Sequence, residues 1–309
     1  MPYARMRDGA DLHYLDVGRG PTVMLLHGFA MPATLWLPFV APLAARFRFV
    51  LPNLRGFGGS HHVSLSNPCL LTQHADDVAD LVEQLGLDDI RLGGLSMGAC
   101  TSLQYNRLYG FERVRSYLHI DQAPRVLNGP DWRHGLLGAE QKHRLGQWQA
   151  LMDELEAYRG QPYRALPKPL RRQLWRALSE FIGYAFHGRP WLAIGYLTRI
   201  EFLIRRITPV GNWPIYLDCL RSYLTDHDYD WRPSLEKVTV PMTVAVGMRS
   251  RMYPAAGQLK ITDFVPHARI EKFYDTGHAI PFEAPVQFMR TLRTFLLVHS
   301  EDVEHRHAA

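Results

Sequence analysis

The sequence predicts an α/β fold in which a mostly parallel, doubly wound sheet is covered by helices and interrupted by one helical insertion. Short apolar runs typical of buried strands alternate with helix-length segments over about the first 120 residues. From about residue 124 to residue 230 the strand signals fade, and helical segments rich in Trp, Arg, Leu and Tyr replace them. The alternation then resumes, which indicates an insertion into one domain.

Hydrophobic spacing and turn residues define the elements before the insertion. The predicted strands are residues 11–17, 22–26, 47–51, 90–95 and 116–120. The predicted helices are residues 33–46, 72–85 and 99–109. Leu35, Phe39 and Leu43 recur at helical spacing in the first helix, and the second has Thr72 as its N-cap and Gly86 at its end.

The insertion is predicted to be entirely helical. Its helices are residues 136–158, 169–186, 191–206 and 213–224. The pattern after it predicts strands at 241–247 and 268–274 and helices at 255–264 and 285–299. We therefore predict a core domain of residues 1–123 and 231–309 and a helical cap, or lid, of residues 124–230.

Composition restricts the class of protein and its compartment. The chain of 309 residues is 47% hydrophobic with a net charge of +5, as is ordinary for a globular protein. Cys69, Cys100 and Cys219 are widely spaced and odd in number, which favours free thiols in a reducing compartment. The sequence shows neither a signal peptide nor the apolar run of about 18 residues that a membrane span needs. We expect a cytoplasmic protein without an integral membrane segment, and its oligomeric state is left open.

Several ligand classes are not expected. The sequence contains neither zinc-finger spacing, nor a stripe of basic and aromatic residues, nor a dinucleotide-type glycine fingerprint. The glycine-rich segment GGLSMG lacks the lysine of a phosphate-binding loop. We therefore predict no nucleic acid partner, no cofactor and no metal, and a small molecule as the substrate.

The most informative motif is GLSMG at residues 94–98. It lies where a predicted strand runs into a predicted helix. A serine between glycines at such a junction can occupy a sharp, strained turn that lifts its hydroxyl off the backbone. The motif favours Ser96 as a nucleophile, while a plain turn of small residues remains the alternative. A base, an acid and oxyanion donors at neighbouring strand ends would favour catalysis.

Two further segments supply such groups. His278, in the sequence DTGHA, follows the last predicted strand and precedes the last helix, where a general base would follow the nucleophile in chain order. The backbone N–H of Met97, directly after Ser96, is the first candidate donor to an oxyanion. The second is the N–H of Phe29, which follows His27 and Gly28 at the end of predicted strand 22–26.

These motifs, in order, resemble the α/β-hydrolase superfamily in its branch with a helical cap. The segments that carry the resemblance are LLHGF, LPNLRGFGGS, GGLSMGA and TGHAIPFEAPVQF. The resemblance covers nearly the whole chain outside the insertion, and it implies an eight-stranded, mostly parallel sheet and a Ser–His–acid triad. Asn53 replaces an aspartate that the family usually has before Arg-Gly, at a position that is normally structural.

The position of the acid departs from the family pattern. The aspartate that commonly follows strand 241–247 is here Ser250, whose neutral hydroxyl cannot stabilise an imidazolium as a carboxylate does. Some members carry the acid after the strand that here is 116–120, so Asp121 is the expected triad acid. The other candidate acids are Asp226, Asp228 and Asp230. The alternative role for Asp121 itself is to cap a turn.

The resemblance implies a serine hydrolase that cleaves a carboxylic ester through an acyl-enzyme. Other activities on the same residues are alternatives: thioesterase, lactonase, carbon–carbon bond hydrolase, and cofactor-free haloperoxidase or perhydrolase. A non-catalytic ligand-binding protein is the alternative of another class. The tryptophans of the insertion favour a partly hydrophobic acyl substrate but are equally typical of packing: Trp132, Trp148, Trp175, Trp191 and Trp213. Its arginines are more typical of a solvated helix face than of a substrate carboxylate site: Arg171, Arg172, Arg176, Arg205 and Arg206.

Overall fold

A computed structural model describes residues 2–188, 213–224 and 229–298. These residues form an eight-stranded sheet with the order β1-β2-β4-β3-β5-β6-β7-β8. Its strands are β1 Tyr3–Arg5, β2 Asp11–Gly18, β3 Thr22–Leu26, β4 Arg48–Pro52, β5 Ile90–Leu95, β6 Val114–Ile120, β7 Met242–Gly247 and β8 Arg269–Phe273. The β1–β2 and β2–β4 pairs are antiparallel, and the pairs from β4 to β8 are parallel. The predicted fold class is confirmed.

Helices cover both faces of this sheet. The longer ones are α1 Leu70–Gln84, α2 Met97–Tyr109, α3 Gln141–Glu156, α4 Lys168–Ala185, α5 Trp213–Leu224 and α6 Pro285–Val298. Short α-helical segments are Leu37–Val40, Arg232–Leu235, Ala255–Leu259 and Ile280–Glu283. Short 3-10 segments are Ala33–Trp36, Ala41–Leu43, Gly58–Ser60, Gly138–Glu140, Tyr163–Ala165 and Lys260–Asp263.

The apolar core lies on the two faces of the sheet. Successive side chains of a strand point to opposite faces. Accordingly, Leu26 belongs to the same buried cluster as Leu103 of α2, whereas its neighbour Leu25 belongs to the cluster that contains Phe288 of α6. Because both faces are buried, the central strands are mainly apolar, which is the pattern that made them recognisable in the sequence, although β5 and β6 also carry buried polar residues such as Arg91 and His119.

One predicted helix before the insertion is broken in the structure. Residues 33–46 do not form a continuous helix but two 3-10 turns around the single turn Leu37–Val40. Pro38 and Pro42 explain the difference, since a proline inside a helix removes a hydrogen bond and clashes with the preceding turn. Phe39 is still buried, and Leu43 packs against the same apolar cluster.

The bounds of other elements also shift. Helix α1 begins at Leu70, so the predicted N-cap role of Thr72 is wrong, and the actual N-cap, Cys69, makes no side-chain cap bond. The strand β1 has no counterpart among the predicted strands. The predicted helix 213–224 matches α5, and the predicted helix 191–206 lies outside the described residues.

Helices α3, α4 and α5 all lie between β6 and β7 in the chain. They share a small apolar cluster of their own, which includes Leu155 of α3, Leu170 of α4 and Leu217 of α5. The described helices include none that is long and apolar enough to span a bilayer.

Candidate active site

Ser96 occupies a strained turn between β5 and α2. Its backbone angles are φ 54° and ψ −118°, in a region that side-chain-bearing residues rarely adopt. The turn is fixed on both sides, because the Ser96 N–H donates to Ile120 O at 3.0 Å and its carbonyl accepts from Cys100 N at 2.9 Å. Residues 90–100 are buried except for Ser96, which is partly exposed. The turn therefore presents this side chain outward from a buried frame.

The two flanking glycines are required by the close approach of backbones. A Cβ on Gly94 would lie 2.4 Å from the carbonyl oxygen of Gly98. A Cβ on Gly98 would lie 2.3 Å from the carbonyl oxygen of Leu26, at the end of β3. Since real Cβ atoms do not approach backbone oxygens this closely, only glycine allows α2 to begin against the end of β3.

The loop after β3 lies beside Ser96. A Cβ on Gly28 would be 3.5 Å from the Cβ of Ser96, so the segment His27-Gly28-Phe29 borders the serine. The ring of His27 holds this loop, because its Nε2 accepts the Leu54 N–H at 2.9 Å and its Nδ1–H donates to Gly28 O at 2.8 Å. Burial lowers the pKa of His27 to about 4, which keeps the ring neutral and in this tautomer.

The structure brings together two of the predicted site residues at the next strand ends. Asp121 follows β6 and is fully buried, and its Oδ2 lies 2.6 Å from Nδ1 of His278 in the loop after β8. Ser96, Asp121 and His278 all follow the carboxyl ends of parallel strands (β5, β6 and β8), where such sheets gather their functional side chains.

Three further donors surround the Asp121 carboxylate. Ser250 donates its hydroxyl to Oδ2 at 2.7 Å, which is the same oxygen that contacts His278. Gly247 N–H and Gln258 Nε2 donate to Oδ1 at 2.8 Å and 3.0 Å. Hydrogen bonds of this kind hold the orientation of a buried carboxylate.

The runner-up acids have other surroundings. Asp230 pairs with Arg232 at 2.6 Å and with Arg125 at 3.6 Å, so its carboxylate belongs to a separate ion-pair network. Asp226 and Asp228 lie outside the described residues. Asn53 is structural, since its Oδ1 accepts the Ala33 N–H at 2.9 Å and its amide contacts His13.

An apolar cavity of about 110 Å³ opens between the core and helices α3, α4 and α5. Phe29 forms its wall on the core side, through edge contacts with Phe181 of α4 and Tyr216 of α5. The other lining residues are Trp148, Leu151, Met152, Leu155, Leu174, Trp175, Ala177, Leu178, Trp213, Leu217 and Leu220. Among the described residues, the lining contains no charged side chain, and Arg171, Arg172 and Arg176 of α4 are not part of it. Arg205, Arg206 and Trp191 lie outside the described residues.

Sequence reasoning missed the residues that support the acid and the histidine. It identified Ser250 as a missing acid, whereas the structure shows it as a donor to Asp121. It did not identify Gln258, or Glu283, whose carboxylate accepts the Gly277 N–H at 3.0 Å beside His278. The spacing of Glu283 five residues after His278 was the available signal.

Across residues 2–188, 213–224 and 229–298, His, Cys, Asp and Glu side chains form no group of three that could hold a metal ion.

Comparison with known families assigns the chain to a class. The model of the alpha/beta hydrolase fold family matches residues 21–285, which is most of the sequence. The chain therefore belongs to this hydrolase family. The family and the fold that the sequence motifs predicted are confirmed.

Individual relatives extend over nearly the whole chain. The non-heme chloroperoxidase CPO-A1 of Kitasatospora aureofaciens is 30% identical over 286 residues, which cover 91% of this chain and 93% of the relative. The pimeloyl-(acyl-carrier protein) methyl ester esterase of Nitrosomonas europaea is 23% identical over 280 residues, covering 91% and 97%. Among solved structures, an esterase from Exiguobacterium antarcticum matches with a TM-score of 0.72 and 20% identity, covering 95% of this chain and 98% of that one. The enol-lactonase of Burkholderia xenovorans LB400 matches with a TM-score of 0.69, 21% identity and coverage of 96% and 99%. At these identities the structural matches show the fold alone.

Proposed function

We propose that the protein is a serine hydrolase that cleaves carboxylic esters through an acyl-enzyme. The observation that carries the proposal is the hydrogen bond between His278 Nδ1 and the buried Asp121 carboxylate, at the strand edge where Ser96 occupies its strained turn. Because Nδ1–H donates to Asp121, Nε2 is the ring nitrogen that accepts the proton of a nucleophile.

The proposed reaction has two steps. The Ser96 Oγ attacks the ester carbonyl carbon, His278 Nε2 takes the serine proton, and the same proton then passes to the leaving alcohol. Water next attacks the acyl-enzyme, gives a proton to His278, and releases the acid as Ser96 recovers its hydrogen. Asp121 stabilises the imidazolium in both steps.

The oxyanion of each step needs two donors. We assign them to the N–H groups of Met97 and Phe29. Met97 is the first residue of α2, so its N–H points out of a helix N-terminus and gains from the helix dipole. Phe29 lies in the loop that borders Ser96, and His27 holds that loop in place.

The substrate is proposed to be a small molecule with an apolar acyl or alcohol group. The support is the cavity between the core and α3, α4 and α5, which is lined by Phe29 and has no charged side chain among its described lining residues. In this reading residues 124–230 act as a cap that selects the substrate. The three cysteines Cys69, Cys100 and Cys219 are free thiols, which supports a cytoplasmic location.

Fluorophosphonate labelling together with hydrolysis of p-nitrophenyl esters tests the proposal. We expect the wild-type protein to become labelled and to turn over the esters, and Ser96→Ala to lose both. The matched control is Ser64→Ala, an exposed serine that is expected to leave both unchanged. A folded wild-type protein that takes no label, or a Ser96→Ala variant that keeps its turnover, would contradict the proposal and favour a ligand-binding protein.

A second candidate is haloperoxidase or perhydrolase activity without a cofactor. It is favoured by the 30% identity to the non-heme chloroperoxidase over most of both chains. Hydrogen peroxide would replace water as the attacker of the acyl-enzyme. Adding peroxide, a carboxylic acid and a halide to the same assays would detect this activity as halide oxidation that Ser96→Ala lacks.

A further inference from the structure

The end of helix α4 is hydrogen-bonded to the loop that carries His278. Glu283 Oε1 accepts the Gly277 N–H at 3.0 Å, and its Oε2 accepts the N–H of His187, just after α4, at 2.7 Å. The Ala279 N–H donates to the carbonyl of Ala185, the last residue of α4, at 2.9 Å. The two neighbours of His278 are therefore both linked to the end of α4. Gly277 is linked through Glu283, and Ala279 is bonded to α4 directly.

The same helix forms one wall of the apolar cavity. Leu174, Ala177, Leu178 and Phe181 are spaced so that they share one face of α4, and all four line the cavity. Its last turn also contacts the loop after β7, because the Arg251 guanidinium lies over the Tyr184 ring, 4.7 Å from its centre, next to Ser250, which donates to Asp121. Helix α4 thus lines the cavity along its middle, and its end contacts the His278 loop and the loop after β7 that donates to the acid.

We propose that Glu283 is a positioning residue that couples occupation of this cavity to the position of the His278 imidazole. The inference rests on the proposed function of Ser96, His278 and Asp121. An apolar substrate group that packs against α4 fixes the helix, and the carboxylate of Glu283 transmits that position to Gly277 through two charge-assisted hydrogen bonds. A substrate that fills the cavity is then cleaved faster once bound, in addition to binding more tightly.

Two substitutions separate this role from a local one. Glu283→Ala removes both acceptor oxygens. Glu283→Gln keeps one acceptor and turns an amide NH₂ toward the second backbone N–H, so it retains about half of the connection. The matched control is Asp275→Ala, an exposed carboxylate three residues before His278.

The experiment compares kcat and KM for p-nitrophenyl acetate and p-nitrophenyl hexanoate. In the wild type we expect a higher kcat for the hexanoate. We expect Glu283→Ala to lower kcat for the hexanoate about tenfold or more, the scale of one lost charge-assisted hydrogen bond, and to lower kcat for the acetate much less. KM should change little for either ester, and Glu283→Gln should fall between the wild type and Glu283→Ala.

Other outcomes overturn the coupling. Equal losses of kcat for the two esters would mean that Glu283 holds the His278 loop only locally, and a change confined to KM would place its effect in binding. If Glu283→Ala does not fold, Glu283→Gln carries the same comparison, with its melting temperature recorded beside the kinetics. A wild-type protein that neither takes a fluorophosphonate label nor cleaves either ester would instead contradict the proposed function itself.

Discussion

Under the proposed function, Asp121 and Ser250 share a role that a single aspartate after β7 would fill in the family pattern. The side chain at position 250 still reaches the site, because its hydroxyl lies 2.7 Å from the Asp121 oxygen that contacts His278. The negative charge, however, comes from the end of β6. Asp121 has φ 45°, so its backbone is held in a conformation that an aspartate tolerates better than most residues. The burial and the four hydrogen-bond partners of this carboxylate support its role as the acid.

Asp121→Asn and Ser250→Ala should therefore differ greatly in their effects. Asparagine at position 121 removes the charge and favours the wrong tautomer of His278, so we expect kcat for ester hydrolysis to fall by about three to four orders of magnitude. Ser250→Ala removes one hydrogen bond to a carboxylate that keeps its other partners, and we expect a loss of about tenfold. Steady-state kinetics on one activated ester measures both. A Ser250→Ala loss as large as that of Asp121→Asn would make the hydroxyl an equal partner and contradict our assignment.

At the scale of elements, the serine turn depends on contacts between backbones. Helix α2 begins so close to β3 and β5 that neither Gly94 nor Gly98 has room for a Cβ. Other glycines have no such restriction, and a Cβ on Gly146, inside α3, would meet nothing within 4 Å. The sequence alone does not distinguish these glycines, although a side chain is excluded at positions 94 and 98 and would fit at position 146.

Gly98→Ala and Gly146→Ala test this difference. The new methyl group at position 98 would lie 2.3 Å from Leu26 O, so α2 must move, and we expect a loss of about 2 to 4 kcal/mol in the free energy of unfolding. Alanine at position 146 should instead add about 0.5 to 1 kcal/mol, because it reduces the entropy of the unfolded chain in a helix interior. Urea unfolding of both variants measures the two changes. A Gly98→Ala protein as stable as the wild type would show that the turn adapts easily.

The elements that were predicted well from the sequence are those whose burial produces a recognisable run of apolar residues. Strands β3 and β5 match their predicted bounds, because central parallel strands are buried on both faces. The prediction of one continuous helix over residues 33–46 was wrong, because it gave the spacing of the apolar residues more weight than the two prolines. Within the candidate site, Ser96 and His278 were predicted from motifs at strand ends and Asp121 from the family resemblance; the structure places Asp121 beside His278, and the catalytic roles stay predictions. Ser250 as a donor to Asp121 and Glu283 as an acceptor from His187 were not predictable, since the members of each pair lie far apart in the chain. Only the short spacing between Glu283 and the His278 loop was visible in the sequence.

Across the described parts of the chain, His27, His74 and His119 are the histidines that are completely buried, and all three are neutral. Burial lowers the pKa of His27 and of His119 to about 4 and that of His74 to about 3. Each ring donates one N–H to a backbone carbonyl: His27 to Gly28, His74 to Arg55 and His119 to Gln122. His27 follows β3, His74 lies in α1 and His119 lies in β6.

These histidines should make the fold sensitive to mild acid. A histidine in the unfolded chain has a pKa of about 6.5. Below that pH the unfolded chain therefore binds protons that the buried rings of the folded protein do not bind. The stabilising contribution is therefore complete above pH 6.5 and is lost as the pH falls toward 4, by about 2 kcal/mol per histidine between pH 7.5 and 5. Replacing His74 with glutamine should flatten the dependence of unfolding free energy on pH by about that amount. The exposed His62→Gln is the matched control and should leave the dependence unchanged. Urea unfolding at pH 7.5, 6 and 5 measures the slopes, and an unchanged slope in His74→Gln would mean that this ring takes up its proton in the folded protein.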